Sequence, residues 1–586
     1  MKGWDIMKIQ KVISGLASAL MLSANLMNIT TYADISETKQ WGNNASYVID
    51  YDTATVTITG HGKLLNTDAA GNYDSPFKGD TFIEKVVIGE GITSLCQNAF
   101  YGCTNLKEVD FPDSLEFIGR NAFVGTELYN EQIKDNANVL IMVDDWIVDY
   151  SKKGEDVSEL VIPDGCVGIG TESFKKFSVN ARYVYRLGNV EKIVFPDTLK
   201  YINYGAFNGA EMKLKSLELP TENDLYIGSY AFSDAFIDNV NDAVNALDID
   251  IPGNVKEIGS YAFSGNKRLQ GVNLNEGLVT LSNNAFDGCS FSEPVSIPDS
   301  LERLGVEAFQ NTPFEKEFDS STEKTLYLGN WLYKVNGNNP SYIDIREGTL
   351  GIADSPGIPV TAEFKLPSTL KYIGASVFAG QKKNEIILPA NLEAIYANAF
   401  ENSELKKIKF PNGLKYIGSK AFKNCKGLIK VEIPESVEFI GDGAFSGLVN
   451  HSQKSTVIVY SKNCEIEQIE YPNVYANQYA LDFKYIMGYK GSTAEAYSNK
   501  YAKINPYNFL KEDTDARVFK PLLIGDVNID GIINITDITK VAAHVKGKKL
   551  LDENAQKFAD VNNDGKINIS DITKIAAHVK GKKLLQ

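Results

Sequence analysis

Two segments near the C-terminus carry oxygen donors at the spacing a hard cation needs. Residues 526–537 read DVNIDGIINITD and residues 560–571 read DVNNDGKINISD. Positions 1, 3, 5, 9 and 12 of the first loop are Asp526, Asn528, Asp530, Asn534 and Asp537. Those of the second are Asp560, Asn562, Asp564, Asn568 and Asp571. Position 7, which contributes a backbone carbonyl, is Ile532 in one loop and Lys566 in the other. Six to eight oxygens around one tight turn suit Ca²⁺, and position 6 is Gly531 or Gly565, where the chain must bend sharply. Two such loops predict two bound Ca²⁺ ions.

Each loop runs into nearly the same helical string. Residues 535–551 and 569–585 differ only at Thr536/Ser570 and Val541/Ile575. This tandem pattern over about 524–586 resembles a type I dockerin, a small all-α calcium-binding module of two F-hand-like repeats. Position 12 is Asp rather than the Glu of an EF-hand, and Pro521 disfavours a helix entering the first loop. The family shares both departures.

The resemblance implies a partner, a cohesin domain of a scaffoldin. Its contacts would fall at Ile535, Thr536, Ala542 and Ala543 in one half and at Ile569, Ser570, Ala576 and Ala577 in the other. Ala542 also continues the apolar stripe of Ile538, Val541 and Val545, so core packing and partner contact both fit it, as they fit Ala576. The near-identity of the halves predicts two binding orientations related by about half a turn. Lysines end both helices; they would steer toward an acidic partner or complement the helix dipole.

The elements that must carry this module are repetitive. An Ala-Phe pair or close variant recurs twelve times from Phe100 to Phe445, at spacings of 22 or 23 where undisturbed. An apolar-Pro step lies upstream of most copies. In the unit 106–126, LKEVDFPDSLEFIGRNAFVGT, the part KEVDFP alternates like a short strand closed by Pro. LEFIG reads as a second apolar stretch, and NAF as a turn whose Phe points inward. One unit cannot bury its own apolar face, so units must stack into a solenoid. The pattern resembles BspA-type (treponemal) leucine-rich repeats.

The implied organisation is a signal peptide at 1–33, an N-terminal cap at 34–80, a repeat solenoid at 81–450, a C-terminal cap at 451–504, a linker at 505–523 and the dockerin at 524–586. Two interruptions, at 139–150 and 325–335, read as β-hairpins with Trp146 and Trp331 just past their turns. Those rings could grip a ligand, stacking on sugars or a protein partner, or could pack against the solenoid wall.

Composition narrows the classes. The net charge of −16 argues against nucleic-acid binding, although 524–586 by itself is +2. Lys2, Lys8 and Lys11 precede an apolar stretch over 12–26 with a cut expected after Ala33, a secretory signal that leaves no membrane span. The implied setting is extracellular, at the cell surface through a scaffoldin. Cys103, Cys289 and Cys425 each lie three residues past a repeat Phe and read, with the other three cysteines, as free buried thiols. Only four histidines occur, and no GxSxG, phosphate loop or zinc-ligand spacing is present. The expectation is a non-enzymatic arm for a protein or polysaccharide ligand. The alternative is a polysaccharide-degrading component of glycoside hydrolase type.

Overall fold

The computed structural model describes residues 37–585 apart from 42–43, 65–74, 135–137, 153–156, 176, 180–181, 185–186, 237–245, 338–339, 449–454, 468–478 and 502–517. The expected signal peptide lies outside the described residues.

The repeats of the ladder contribute short strands of two to four residues that end on a buried Ile or Leu, as in Tyr201–Ile202, Val255–Ile258 and Tyr416–Ile417, where the residue before that one is partly or fully exposed. Tyr201–Ile202 pairs in parallel with Leu225–Ile227, and Tyr416–Ile417 with Phe439–Ile440, in that inward-outward register. Two eight-stranded sheets result, one running from Asn138–Val143 to Arg303–Leu304, the other from Thr325–Leu328 to Glu465–Ile466. The Pro that closes the preceding segment accepts a hydrogen bond from the N–H three residues on, as Pro112 does from Leu115 at 3.1 Å and Pro411 from Leu414 at 3.1 Å.

The repeat phenylalanines form a column through the stack. From Phe207 through Phe232, Phe263 and Phe286 to Phe309, ring centroids lie 5.0, 5.2, 5.3 and 5.5 Å apart, with planes within 9° of parallel. The free cysteines follow the same periodicity: Cys103, Cys289 and Cys425 donate S–H bonds to the carbonyls of Phe77, Phe263 and Phe400 in the preceding unit. All six thiols are buried and unpaired with one another.

The hairpins splice into this stack rather than leaving it. Asn138–Val143 pairs antiparallel with Trp146–Lys152, and Thr325–Leu328 with Trp331–Val335. Tyr150 then meets Phe174 at 5.5 Å and Tyr333 meets Phe309 at 6.0 Å, so each hairpin lends its own aromatic to the column. A short helix precedes each hairpin, Glu127–Ile133 and Pro313–Ser320. Sequence reading missed both. Their signals are Thr126, whose Oγ1 accepts from Tyr129 N–H at 3.2 Å, and Thr312 followed by Pro313 at the first turn.

At the start of the stack, Lys39–Trp41, Ala45–Asp50 and Thr55–Gly60 form an antiparallel meander, the last pairing in parallel with Lys85–Ile88. At its end lie Thr456–Val459, Tyr485–Gly488 and the helix Thr493–Tyr501. The expected linker at 505–523 is corrected at its C-terminal end. Val518–Pro521 is a strand, paired in parallel with Tyr485–Gly488, so the ladder continues up to the dockerin. Pro521 fits because Val518 and Leu522 N–H donate across to the Lys484 and Gly488 carbonyls, and Pro521 stands at the alternate position, where no N–H is needed.

Candidate functional site

The dockerin consists of three helices, Ile535–Val545, Glu553–Ala559 and Ile569–Val579, around a small core of Val527, Val541, Ala555, Ala559 and Ile575. Of the two positions at which 535–551 and 569–585 differ, the Val541/Ile575 pair meets in this core, both side chains fully buried. The second loop, unlike the first, is entered from a helix, Glu553–Ala559.

The two loops share one hydrogen-bond plan. Gly531 N–H donates to Asp526 Oδ2 at 2.7 Å, and Gly565 N–H to Asp560 Oδ2 at 2.8 Å. Both glycines sit at positive φ, +87° and +76°, which a residue with a Cβ adopts at a cost. Asp537 and Asp571, position 12, are fully buried. Asp537 accepts from Val527, Asn528 and Asn534 N–H, tying the start of the loop to its end. With Asn534 it also forms the capping box of the helix, as Asp571 does with Asn568. One carboxylate thus closes the loop and starts the helix. Burial pushes the Asp526 carboxyl up to about 6, against the N–H bonds it accepts from Gly531 and Asp530.

The donor set fits a hard cation. Each loop presents carboxylates at positions 1, 5 and 12, Asn side-chain oxygens at 3 and 9, and the Ile532 or Lys566 carbonyl. Asn528 and Asn562 each hold the neighbouring Asp530 or Asp564 carboxylate through Nδ2 at 2.9 Å, with Oδ1 turned to the loop N–H. No group of three His, Cys, Asp or Glu side chains converges on a metal-sized point among the described residues. The carboxylates spend their lone pairs on backbone N–H groups, and a Ca²⁺ ion would draw them inward.

Beside the loops lie the expected partner residues. Ile535 is 67% exposed and Ile569 73% exposed, large apolar side chains at the first turn of their helices. Thr536 is exposed and Ser570 half-buried, the latter accepting from Asn562 Nδ2 at 2.8 Å. Ala542, Ala543, Ala576 and Ala577 are all half-buried and stand outside the core. His544 and His578 accept through Nδ1 from Leu551 and Leu585 N–H, each at 3.0 Å, so both lock the chain turn after their helix.

The two tryptophans are corrected as candidate ligand-binding residues. Trp146 and Trp331 are each 1% exposed. The cause lies one strand onward: Gly168 and Gly351 stand where their neighbours carry side chains, and a Cβ at either would lie 2.4 Å from the indole ring. Each ring fills the space above its glycine and stacks on the next tyrosine, Trp146 on Tyr201 at 5.8 Å and Trp331 on Tyr372 at 6.0 Å. The outward residues of the ladder supply the exposed aromatics instead. Tyr226 is exposed, and Tyr201, Tyr416 and Phe439 are half-exposed.

The BspA type leucine rich repeat region model matches in six copies, over 73–334 in overlapping stretches and over 360–481. The type I dockerin domain model matches residues 524–580. The chain belongs to the BspA-type leucine-rich-repeat proteins and carries a C-terminal type I dockerin. Similar solved structures include a leucine rich cell surface protein from Faecalibacterium prausnitzii A2-165, 19% identical, covering 71% of this chain and 93% of that one with a TM-score of 0.21. A leucine-rich repeat protein from Bacteroides ovatus ATCC 8483 is 19% identical over 82% of this chain and 98% of its own, TM-score 0.23. No curated protein matches the chain.

The dockerin implies cohesin binding within a cellulosome. Type I dockerins generally bind calcium. Neither matched family is catalytic, and no enzymatic domain is found. Among the described residues no helix is long and apolar enough to cross a membrane.

Proposed function

We propose that this chain is a secreted, non-catalytic binding arm, fastened to a scaffoldin cohesin by its calcium-loaded dockerin. The observation that carries the reading is the pairing, in both halves, of a buried loop-closing aspartate with an exposed isoleucine beside it: Asp537 with Ile535, and Asp571 with Ile569. Two Ca²⁺ ions would be held by Asp526, Asn528, Asp530, the Ile532 carbonyl, Asn534 and Asp537, and by Asp560, Asn562, Asp564, the Lys566 carbonyl, Asn568 and Asp571. Bound calcium supplies the charge that holds these oxygens together. The capping boxes at Asn534 and Asn568 then carry the loop geometry into the helices that present Ile535 and Ile569.

The repeat ladder supplies the other contact, to a protein or a plant polysaccharide. Its outward row offers Tyr201, Tyr226, Tyr416 and Phe439, amphipathic or apolar rings on a rigid face. Two measurements test the proposal. Cohesin capture by the full chain should be lost on chelation and restored by Ca²⁺; capture that persists in chelator refutes the calcium dependence. Incubation with a panel of cell-wall polysaccharides, scoring retention and released sugar together, tests the arm, and released sugar refutes the non-catalytic reading.

A further inference from the structure

The dockerin does not stand clear of the solenoid. After the strand Val518–Pro521 joins the end of the ladder, Leu522 N–H donates to the Gly488 carbonyl at 2.7 Å. Leu522 is buried with Ile458, Tyr460 and Met487 of the solenoid end and with Phe558 of the dockerin's middle helix. This cluster is distinct from the dockerin's own core, which contains Ala555 and Ala559 of the same helix but not Phe558. The Tyr460 and Phe558 rings meet at 6.4 Å, and Tyr489 and Ile529 pack at the edge.

Polar contacts surround the apolar patch. Lys557 Nζ lies 2.9 Å from the Glu435 carboxylate, and Asn412 Nδ2 donates to Glu553 at 3.1 Å. Lys520 donates to the Asp530 carbonyl at 3.1 Å while its ammonium sits 4.4 Å above the Tyr485 ring. The exposed ion pair contributes little by itself; it fixes the register of a contact driven by the buried side chains. A dockerin swinging on a tether would leave Phe558, Met487 and Tyr460 in water.

We infer that the dockerin's middle helix is seated on the C-terminal end of the repeat stack through Phe558, so that the arm leaves its scaffold in a fixed direction while both cohesin-facing edges stay open. The geometry separates the two surfaces. The seat uses the helix Glu553–Ala559 and the start of the first calcium loop, whereas Ile535 and Ile569 belong to the other two helices and remain exposed. The seat also breaks the symmetry of the module. Ile529 and Asp530 of the first loop touch the solenoid end, so the two near-identical halves stand differently with respect to the arm. The inference rests on the dockerin reading above.

The test is a spin-label distance measurement on the full chain with calcium. Labels go on exposed positions, Lys406→Cys in the solenoid and Lys582→Cys in the dockerin, the six native thiols being buried. The parent chain should give one narrow distance distribution. Phe558→Ser should broaden it about twofold or more, as expected of modules without a sizeable apolar interface. Tyr460→Ser, which leaves the dockerin sequence untouched, should do the same. A broad distribution in the parent, or a narrow one that survives both substitutions, overturns the seat. Cohesin capture is measured on the unlabelled parent, Phe558→Ser and Tyr460→Ser chains, with Lys406 and Lys582 in place, and should be the same in all three. Loss of capture in the parent chain would count against the dockerin reading and leave the distance result standing.

Discussion

Replacing Ile535 or Ile569 singly should cost almost no cohesin affinity, and replacing both should cost a great deal. Full burial of an isoleucine side chain is worth about 1.5–3 kcal/mol. Ile535 is 67% and Ile569 73% exposed, so roughly two thirds of that, about 1–2 kcal/mol, is available to a partner that covers either one. The surrounding helices are near copies, with matching capping boxes and matching turns after His544 and His578. If a cohesin can dock on either face, Ile535→Ala leaves the other orientation intact. Removing one of two equivalent modes costs about 0.4 kcal/mol, a factor of about two. The double variant removes the contact from both modes and should weaken binding about five- to thirtyfold. Alanine at the first helical position keeps the helix, so folding is not at stake. Calorimetric titration of the full chain with a cohesin panel, in saturating Ca²⁺, reads all three variants. If one single variant shows the whole loss and the other none, a single orientation is used and the argument from internal symmetry fails.

Three further outcomes follow from the solenoid. Gly351→Ala should destabilise the repeat stack by about 1–3 kcal/mol, because the new Cβ would lie 2.4 Å from the Trp331 ring; urea unfolding with tryptophan emission checks it, and an unshifted midpoint and spectrum would mean the ring is not held there. Phe263→Ala opens the column between Phe232 and Phe286 and should cost about 3–5 kcal/mol by denaturant titration, a loss under 1 kcal/mol indicating that the neighbours collapse into the gap. The Cys96, Cys103, Cys166 and Cys464 thiols are pushed up to about 12 by burial, so a thiol reagent at neutral pH should label them only on unfolding; rapid labelling of the native chain contradicts their burial.

Both families in this chain were legible in its sequence. A dockerin loop is a contiguous string in which Asp526, Asn528, Asp530, Gly531, Asn534 and Asp537 meet through one turn, so spacing suffices to recognise the family. The repeats are equally readable. A stack in which each unit touches its neighbours imposes the same inward residue every 22 or 23 positions, and Phe378, Phe400, Phe422 and Phe445 show it in both sequence and column. Other features depended on contacts between distant segments. Trp146 and Trp331 look available on their hairpins, and only the glycine of the next strand, 22 and 20 residues onward at Gly168 and Gly351, buries them. Nothing in the sequence singles out Phe558, and 505–523 reads as a linker until Val518–Pro521 extends the ladder and brings the dockerin onto Tyr460 and Met487. A stack leaves an open end, and what covers it is decided by three-dimensional proximity rather than by any repeat period; that is why the dockerin could be recognised from the chain alone while the seat beneath it required the tertiary structure.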